Sequence, residues 1–260
     1  MTPTALPSRL HLAAVFGLTL LLAGCGVIRK GEAPPPSPHA ARAMLEEHFK
    51  NIHRFEGVFF LNVESPQYNL ALKGTCRLEH PDRLQGRLLG PFGIRLGEFV
   101  FNGGAFQVRM ANGRVMDGDV GDLDVPGLTG LELPTDDVLS LFDPTAKPPR
   151  TGARTLAFKV EKETGFWLWR VDDGTLVREI QLDPVKRVVR FERWMTKDDT
   201  VLLNKEYDQF EQTSGMLVAH RLVLESRTVQ PVKAELVYES LRLDPDWKDD
   251  PFSLMEPVSR

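Results

Sequence analysis

Two cysteines in 260 residues allow one disulfide at most, which excludes a disulfide framework and leaves the fold to a packed core. An excess of basic charge is also missing. Thirty-two Lys and Arg stand against 36 Asp and Glu, a formal net charge of −4. Nucleic acid asks for a concentrated basic face, so it is excluded as a partner. The same balance gives no sign of electrostatic adhesion to anionic lipid. The apolar run from Leu10 to Ala23 is interrupted by His11, Gly17 and Thr19 and stops at about 14 residues, short of the roughly 20 that span a bilayer. Catalytic signatures are absent too: there is no HExxH, no GxSxG and no phosphate-cradling glycine loop. His39, His48, His53, His80 and His220 have no metal-ligand spacing. Asp117 to Asp124 alternates hard oxygens but lacks the Gly and terminal Glu of an EF-hand loop, so it reads as a solvated acidic loop. No metal, no cofactor and no enzymatic activity are expected.

What is present begins at the amino terminus. Arg9, then the apolar run, then small residues describe an export signal. Leu22-Ala23-Gly24-Cys25 resembles the lipobox of bacterial lipoproteins, in which the cysteine is acylated and becomes the mature N-terminus. That resemblance implies a signal peptide over 1–24, lipidation at Cys25 and a chain held at a membrane by its acyl groups. Each buried methylene contributes about 0.8 kcal/mol, and stable anchoring takes two or more chains. Gly26 after the cysteine, rather than Asp, agrees with sorting to the outer membrane. Residues 25–38 form a tether, with Pro34-Pro35-Pro36-Ser37-Pro38 favouring an extended polyproline conformation. With Cys25 acylated, Cys76 has no partner. Its neighbours Leu70, Leu72, Gly74 and Leu78 share its strand face, so it reads as a buried, inert thiol.

From Ala40 to Phe55 the positions Ala41, Leu45, His48/Phe49, Ile52 and Phe55 fall at helical spacing, which predicts one amphipathic helix. After Gly57 the period becomes two. Thirteen segments alternate, with hairpin dipeptides Asn102-Gly103, Asn112-Gly113 and Asp173-Gly174 between some of them. Allowing for over-splitting, about 11 strands are expected. Thr135 to Phe142, stopped by Pro144, predicts a short helix with Val138, Leu139, Leu141 and Phe142 on its apolar face. The expected fold is mainly β: an incomplete antiparallel barrel over 39–260 with an N-terminal amphipathic helix and a short lid helix. Trp167 and Trp169 alternate with Phe166 and Leu168, and either pair could face inward.

Three stretches resemble the LolA/LolB superfamily of outer-membrane lipoprotein-sorting proteins. Arg87-Leu88-Leu89-Gly90-Pro91-Phe92-Gly93-Ile94-Arg95-Leu96 looks like that family's strand–turn–strand with a small-Pro-apolar-Gly turn. Leu128-Thr129-Gly130-x-x-Leu133-Pro134, followed by Val138, Leu139 and Phe142, is similar to the segment entering its lid helix. The helix at 40–55 followed by Gly57-Val58-Phe59 suits its first helix and strand. The family's usual lid Trp is missing, with Leu141-Phe142 in its place. The resemblance implies an apolar cavity that binds acyl chains of lipoproteins or lipid, received from a periplasmic lipoprotein carrier and passed into the outer membrane. Phe92 would be the protruding wedge that enters the membrane, assisted by Ile94. Leu70, Leu72, Leu84, Leu88, Leu96, Phe106 and Val108, with lid residues Leu139 and Phe142, are the candidate cavity lining. The reading is of a monomer, lipid-anchored at the outer membrane and facing the periplasm. The alternative is a non-catalytic envelope scaffold that uses the same barrel to bind proteins.

Overall fold

A computed structural model describes residues 35–120, 139, 141–227 and 231–253. The first element is helix α1 (Pro38–Lys50). Ser37 caps it, its hydroxyl accepting from the Ala40 N–H at 3.0 Å, and Pro38 supplies a preset φ in the first turn. Ala41, Met44 and Leu45 form its buried stripe. The helix stops short of the predicted Phe55. Ile52 is buried in the connector, and Phe55 belongs to the first strand, alternating inward with Gly57 and Phe59. Tertiary pairing decides this boundary: Asp244 accepts from the His53 and Arg54 N–H groups, both at 3.0 Å, and Phe55 pairs with Leu243. A helix continued through Phe55 would forfeit that ladder.

Thirteen strands follow, against the eleven expected. The first run is β1 (Arg54–Glu64), β2 (Asn69–Glu79), β3 (Arg83–Leu89), β4 (Arg95–Asn102), β5 (Ala105–Met110) and β6 (Val115–Asp119). The second run is β7 (Arg154–Val160), β8 (Trp167–Asp172), β9 (Val177–Asp183), β10 (Val188–Met195), β11 (Val201–Thr213), β12 (Met216–Ser226) and β13 (Lys233–Leu243). The count rises because the short terminal strands β6 and β7 still pair along their inner neighbours and so persist as strands.

All thirteen lie in one antiparallel sheet, ordered β6-β5-β4-β3-β2-β1-β13-β12-β11-β10-β9-β8-β7. Two meanders are therefore joined side by side where β1 pairs with β13. The sheet does not close, and β6 and β7 are its two edges. Alternation puts Phe55, Phe59, Leu72, Cys76, Leu78, Leu84, Phe101 and Phe106 on one buried face in the first meander. Trp167, Trp169, Ile180, Leu182, Trp194 and Leu203 continue that face in the second, which settles the inward pair of aromatics as Trp167 and Trp169.

Two glycines let the inner face curl tightly. Phe59 pairs with Gly74, and Phe99 pairs with Gly86. A Cβ at Gly74 would lie 2.4 Å from the Phe59 ring, and one at Gly86 would lie 2.2 Å from the Phe99 ring. Each ring thus lies flat over its partner's backbone, where no side chain could fit.

Candidate functional site

The segment between the two edge strands does not stay outside the sheet. Within it, Leu141, Asp143, Pro144, Thr145 and Ala146 are buried. Phe142 packs between Phe59 of β1, at 5.7 Å between ring centroids, and Phe99 of β4, at 5.5 Å. Further along, Pro149 reaches α1, where its carbonyl accepts from Arg42 at 3.0 Å. Residues 141–149 therefore form a strap across the concave face.

A buried irregular strap faces a hydrogen-bond problem, since its backbone groups pair with no strand and meet no water. The sheet answers with inward-facing polar side chains. The Tyr238 hydroxyl donates to the Phe142 carbonyl. Lys205 Nζ donates to the Asp143 carbonyl at 2.9 Å, and Arg178 donates to the Lys147 carbonyl at 2.7 Å. The Asp143 side chain accepts from Thr145 N–H and hydroxyl at 2.8 and 2.6 Å, which fixes the bend at Pro144.

Charge in this interior is balanced by Glu192, which accepts from Arg178 at 2.5 Å and from the Tyr207 hydroxyl at 3.0 Å. Burial pushes Lys205 down to about 8; Asp143 and Glu192 oppose that shift and Arg178 adds to it. Burial works against the Arg178 charge as well, but Glu192 and Asp173 outweigh it and hold the guanidinium more firmly protonated. Tyr207 and Tyr238 are pushed well above the usual phenol value, first by burial. Both therefore act as neutral hydroxyl donors. Cys76, also inside, has its thiol pushed up by burial to about 12 and is chemically inert at neutral pH.

The strap and α1 leave little space beside them. A cavity of about 40 Å³ lies between Lys147, Arg178, Glu192, Trp194 and Tyr207. Another, of about 20 Å³, lies between Leu45, Pro144, Ala146, Val189 and Leu217. Ligand pockets are typically roughly 300–1,000 Å³. With the strap seated, neither space admits an acyl chain.

At the opposite extreme of exposure is the β3–β4 connection. Gly90-Pro91-Phe92-Gly93 makes a single tight turn, closed by Gly90 N–H to the Ile94 carbonyl at 2.8 Å and Gly93 N–H to the Gly90 carbonyl at 3.2 Å. Phe92 has φ 60° and ψ 19°, the left-handed region that disfavours any side chain larger than Asn or Gly. Its side chain is fully exposed at 102%, and Ile94 is 62% exposed. Folding gains nothing from a phenyl ring here.

The remaining candidates spread along the first meander. Leu72, Leu84 and Phe106 are buried on the concave face, and Leu88 and Val108 pack against the same core. Leu70 continues the Leu72 face but is 40% exposed near the open end. Leu96 is the extra residue of a bulge, where the register steps from Leu88↔Gly97 to Leu89↔Arg95, and its side chain lies against Gly90 beneath the turn. Leu139 and Phe142 pack on the core from the strap side. Cys25, the Leu128–Pro134 stretch, most of the predicted lid helix and the second half of the acidic loop lie outside the described residues. Among the described residues no group of His, Cys, Asp or Glu could hold a metal, and no helix is long and apolar enough to cross a membrane.

Of the interior network, the sequence pattern marks Arg178, which with Glu98, Arg170, Arg190 and Arg221 breaks an otherwise apolar strand face; Glu192, Lys205, Tyr207 and Tyr238 were passed over. One signal was visible: Leu203, Lys205 and Tyr207 share a strand face, and a lysine between two such neighbours asks for a buried partner.

The fold recurs in solved structures. The protein is similar to a LolA-superfamily protein from Nitrosomonas europaea, with a TM-score of 0.60 at 12% identity over 82% of this chain and 97% of that one. It is similar to a DUF1329-family protein from Desulfovibrio piger, with a TM-score of 0.59 at 8% identity over 84% and 98%. A domain assigned to outer-membrane lipoprotein sorting from Vibrio parahaemolyticus gives 0.58 at 11% identity over 82% and 95%. The chain thus shares its fold with these structures. No family model matches the sequence, and no curated protein matches it.

Proposed function

We propose that this protein is an outer-membrane lipoprotein, anchored through acylated Cys25 with its domain in the periplasm. It takes acyl chains of lipoproteins or lipids onto its concave face and helps place them in the outer membrane. Phe92 carries the reading. A phenylalanine that is fully exposed and held at a positive φ opposes stability on both counts, so its reason lies outside the fold. A bilayer is the environment in which an exposed phenyl ring on a rigid turn becomes favourable. The apolar concave face supports the cargo class, since acyl chains need dry volume and few polar groups. Strap residues 141–149 occupy that volume at rest, so cargo enters as they lift away.

The test compares Phe92→Asn with the parent in transfer of a diacylated lipopeptide to acceptor vesicles. Asn tolerates the left-handed turn, so the variant keeps its fold and loses transfer. Unchanged transfer would remove the wedge. The small spaces beside the strap favour a second reading, a scaffold that binds protein instead of lipid. Native mass spectrometry separates the two: a one-to-one lipopeptide adduct supports the carrier, and its absence supports the scaffold.

A further inference from the structure

The turn that carries Phe92 sits at the head of an ordered arrangement of charge. Across the sheet, Val58, Thr75, Arg87, Glu98, Arg109 and Val115 are paired in one continuous row from β1 to β6. Two residues nearer the turn, Phe60, Lys73, Leu89 and, past the bulge, Arg95 form a second row on the same face. Glu98 is buried, its side chain only 8% exposed, and Arg87 and Arg95 both reach it, at 2.8 and 3.4 Å. Those two guanidiniums remain more than half exposed while sharing a single carboxylate, so positive charge is in excess on this outer surface. Lys73, beside them, lies over the exposed Phe60 ring at 5.1 Å and is paired with Glu239 at 2.5 Å, so the excess rests on the arginines.

We infer that this end of the sheet is a docking surface for a bilayer bearing anionic phospholipid headgroups. The inference rests on the membrane-insertion reading of Phe92 and adds the lipid class. Successive strand residues rise about 3.3 Å, so Lys73 and Arg95, both paired with Leu89, lie about one residue behind the turn, and Arg87 lies about three, or about 10 Å. With Phe92 and Ile94 in the acyl region, the Arg95 and Arg87 guanidiniums sit at the depth of the phosphates, within the roughly 5–10 Å of an interfacial insertion. Arginine suits the task because its guanidinium stays charged and pairs with phosphate through two N–H groups. The whole-chain balance conceals this: the net charge is negative, while Arg87 and Arg95 stand exposed beside the apolar tip.

The experiment uses the full chain with Cys25→Ser and Phe92→Cys, so that an environment-sensitive fluorophore attaches at residue 92 while buried Cys76 stays unlabelled. The chain is mixed with vesicles of phosphatidylcholine alone or with about 30% phosphatidylglycerol, a typical anionic load. The expected result is a blue-shifted emission, quenched by brominated lipid, on the anionic vesicles and weakly or not at all on the neutral ones. Each Arg→Gln change at 87 or 95 should lower the inserted fraction roughly fivefold, and added salt should act in the same direction. Gln in place of Glu keeps like charge away from Glu98, and a parent-like thermal transition checks the fold. Equal insertion into both vesicle types would overturn the headgroup inference and leave the membrane turn standing. A label that stays in water on both would overturn the membrane turn, and the inference with it.

Discussion

Replacing Lys205 with Met tests whether the strap is held by a charged amine at a cost to the fold. The Lys205 amine is buried inside the sheet, donates to the Asp143 carbonyl, and has its pKa brought from 10.5 to about 8 chiefly by burial. One pKa unit corresponds to about 1.4 kcal/mol, so this fall represents about 3 kcal/mol of penalty on the charged form in the folded state. Below the folded value both states hold the proton and the penalty is present in full. Between about pH 8 and 10.5 the unfolded chain binds more protons than the folded one, so stability rises with pH through that window. Above 10.5 the penalty is gone. Methionine has similar length and no charge; it forfeits one hydrogen bond and leaves a buried carbonyl short of a donor, a loss of about 1–3 kcal/mol that does not vary with pH. Urea unfolding followed by tryptophan fluorescence at about pH 7 and about pH 10.5 would give the stability of both chains. The advantage of the parent over Lys205→Met should grow by about 3 kcal/mol from the lower to the higher pH. Parallel profiles would refute the reasoning, because they would mean that the amine is solvated and the strap does not seal it from water.

Other outcomes follow from the packing. Native Cys76 should ignore a thiol reagent at about pH 8 and react fully in denaturant, since its thiol is buried and raised to about 12. Gly86→Ala drives a Cβ to 2.2 Å from the Phe99 ring and should destabilise the domain by about 1–3 kcal/mol in the same urea assay. Phe92→Asn should hold or raise stability by up to about 1 kcal/mol, as it relieves a bulky residue at φ 60° without uncovering any core.

Why some features were legible in advance and others were not follows from the range of the interactions. The turn at Gly90–Gly93 was readable because its determinants are adjacent: a proline, an apolar residue where polar ones belong, and a glycine. Cys76 was readable for the same reason, its face being set by the residues two positions away on either side. Phe55 misled because it fits two periods, three residues from Ile52 at helical spacing and two from Gly57 at strand spacing. The ladder to Leu243, nearly two hundred residues away, chose between them. The strap network could not be read at all in its pairs. Lys205 meets Asp143 across 62 residues, and Tyr238 meets Phe142 across 96.

The sequence by itself determined where the chain alternates, where it turns and which face of each strand is apolar, because a period of two and the chemistry of Gly, Pro and Asn act over a few residues. It also set Phe92 in a turn that has no use for a phenyl ring. Tertiary structure alone decided that β1 and β13 meet, that β6 and β7 stay open, that the connecting segment folds inward, and that scattered basic residues line up behind Phe92. Those outcomes depend on which distant strands share hydrogen bonds, and on which polar groups burial then forces to find one another.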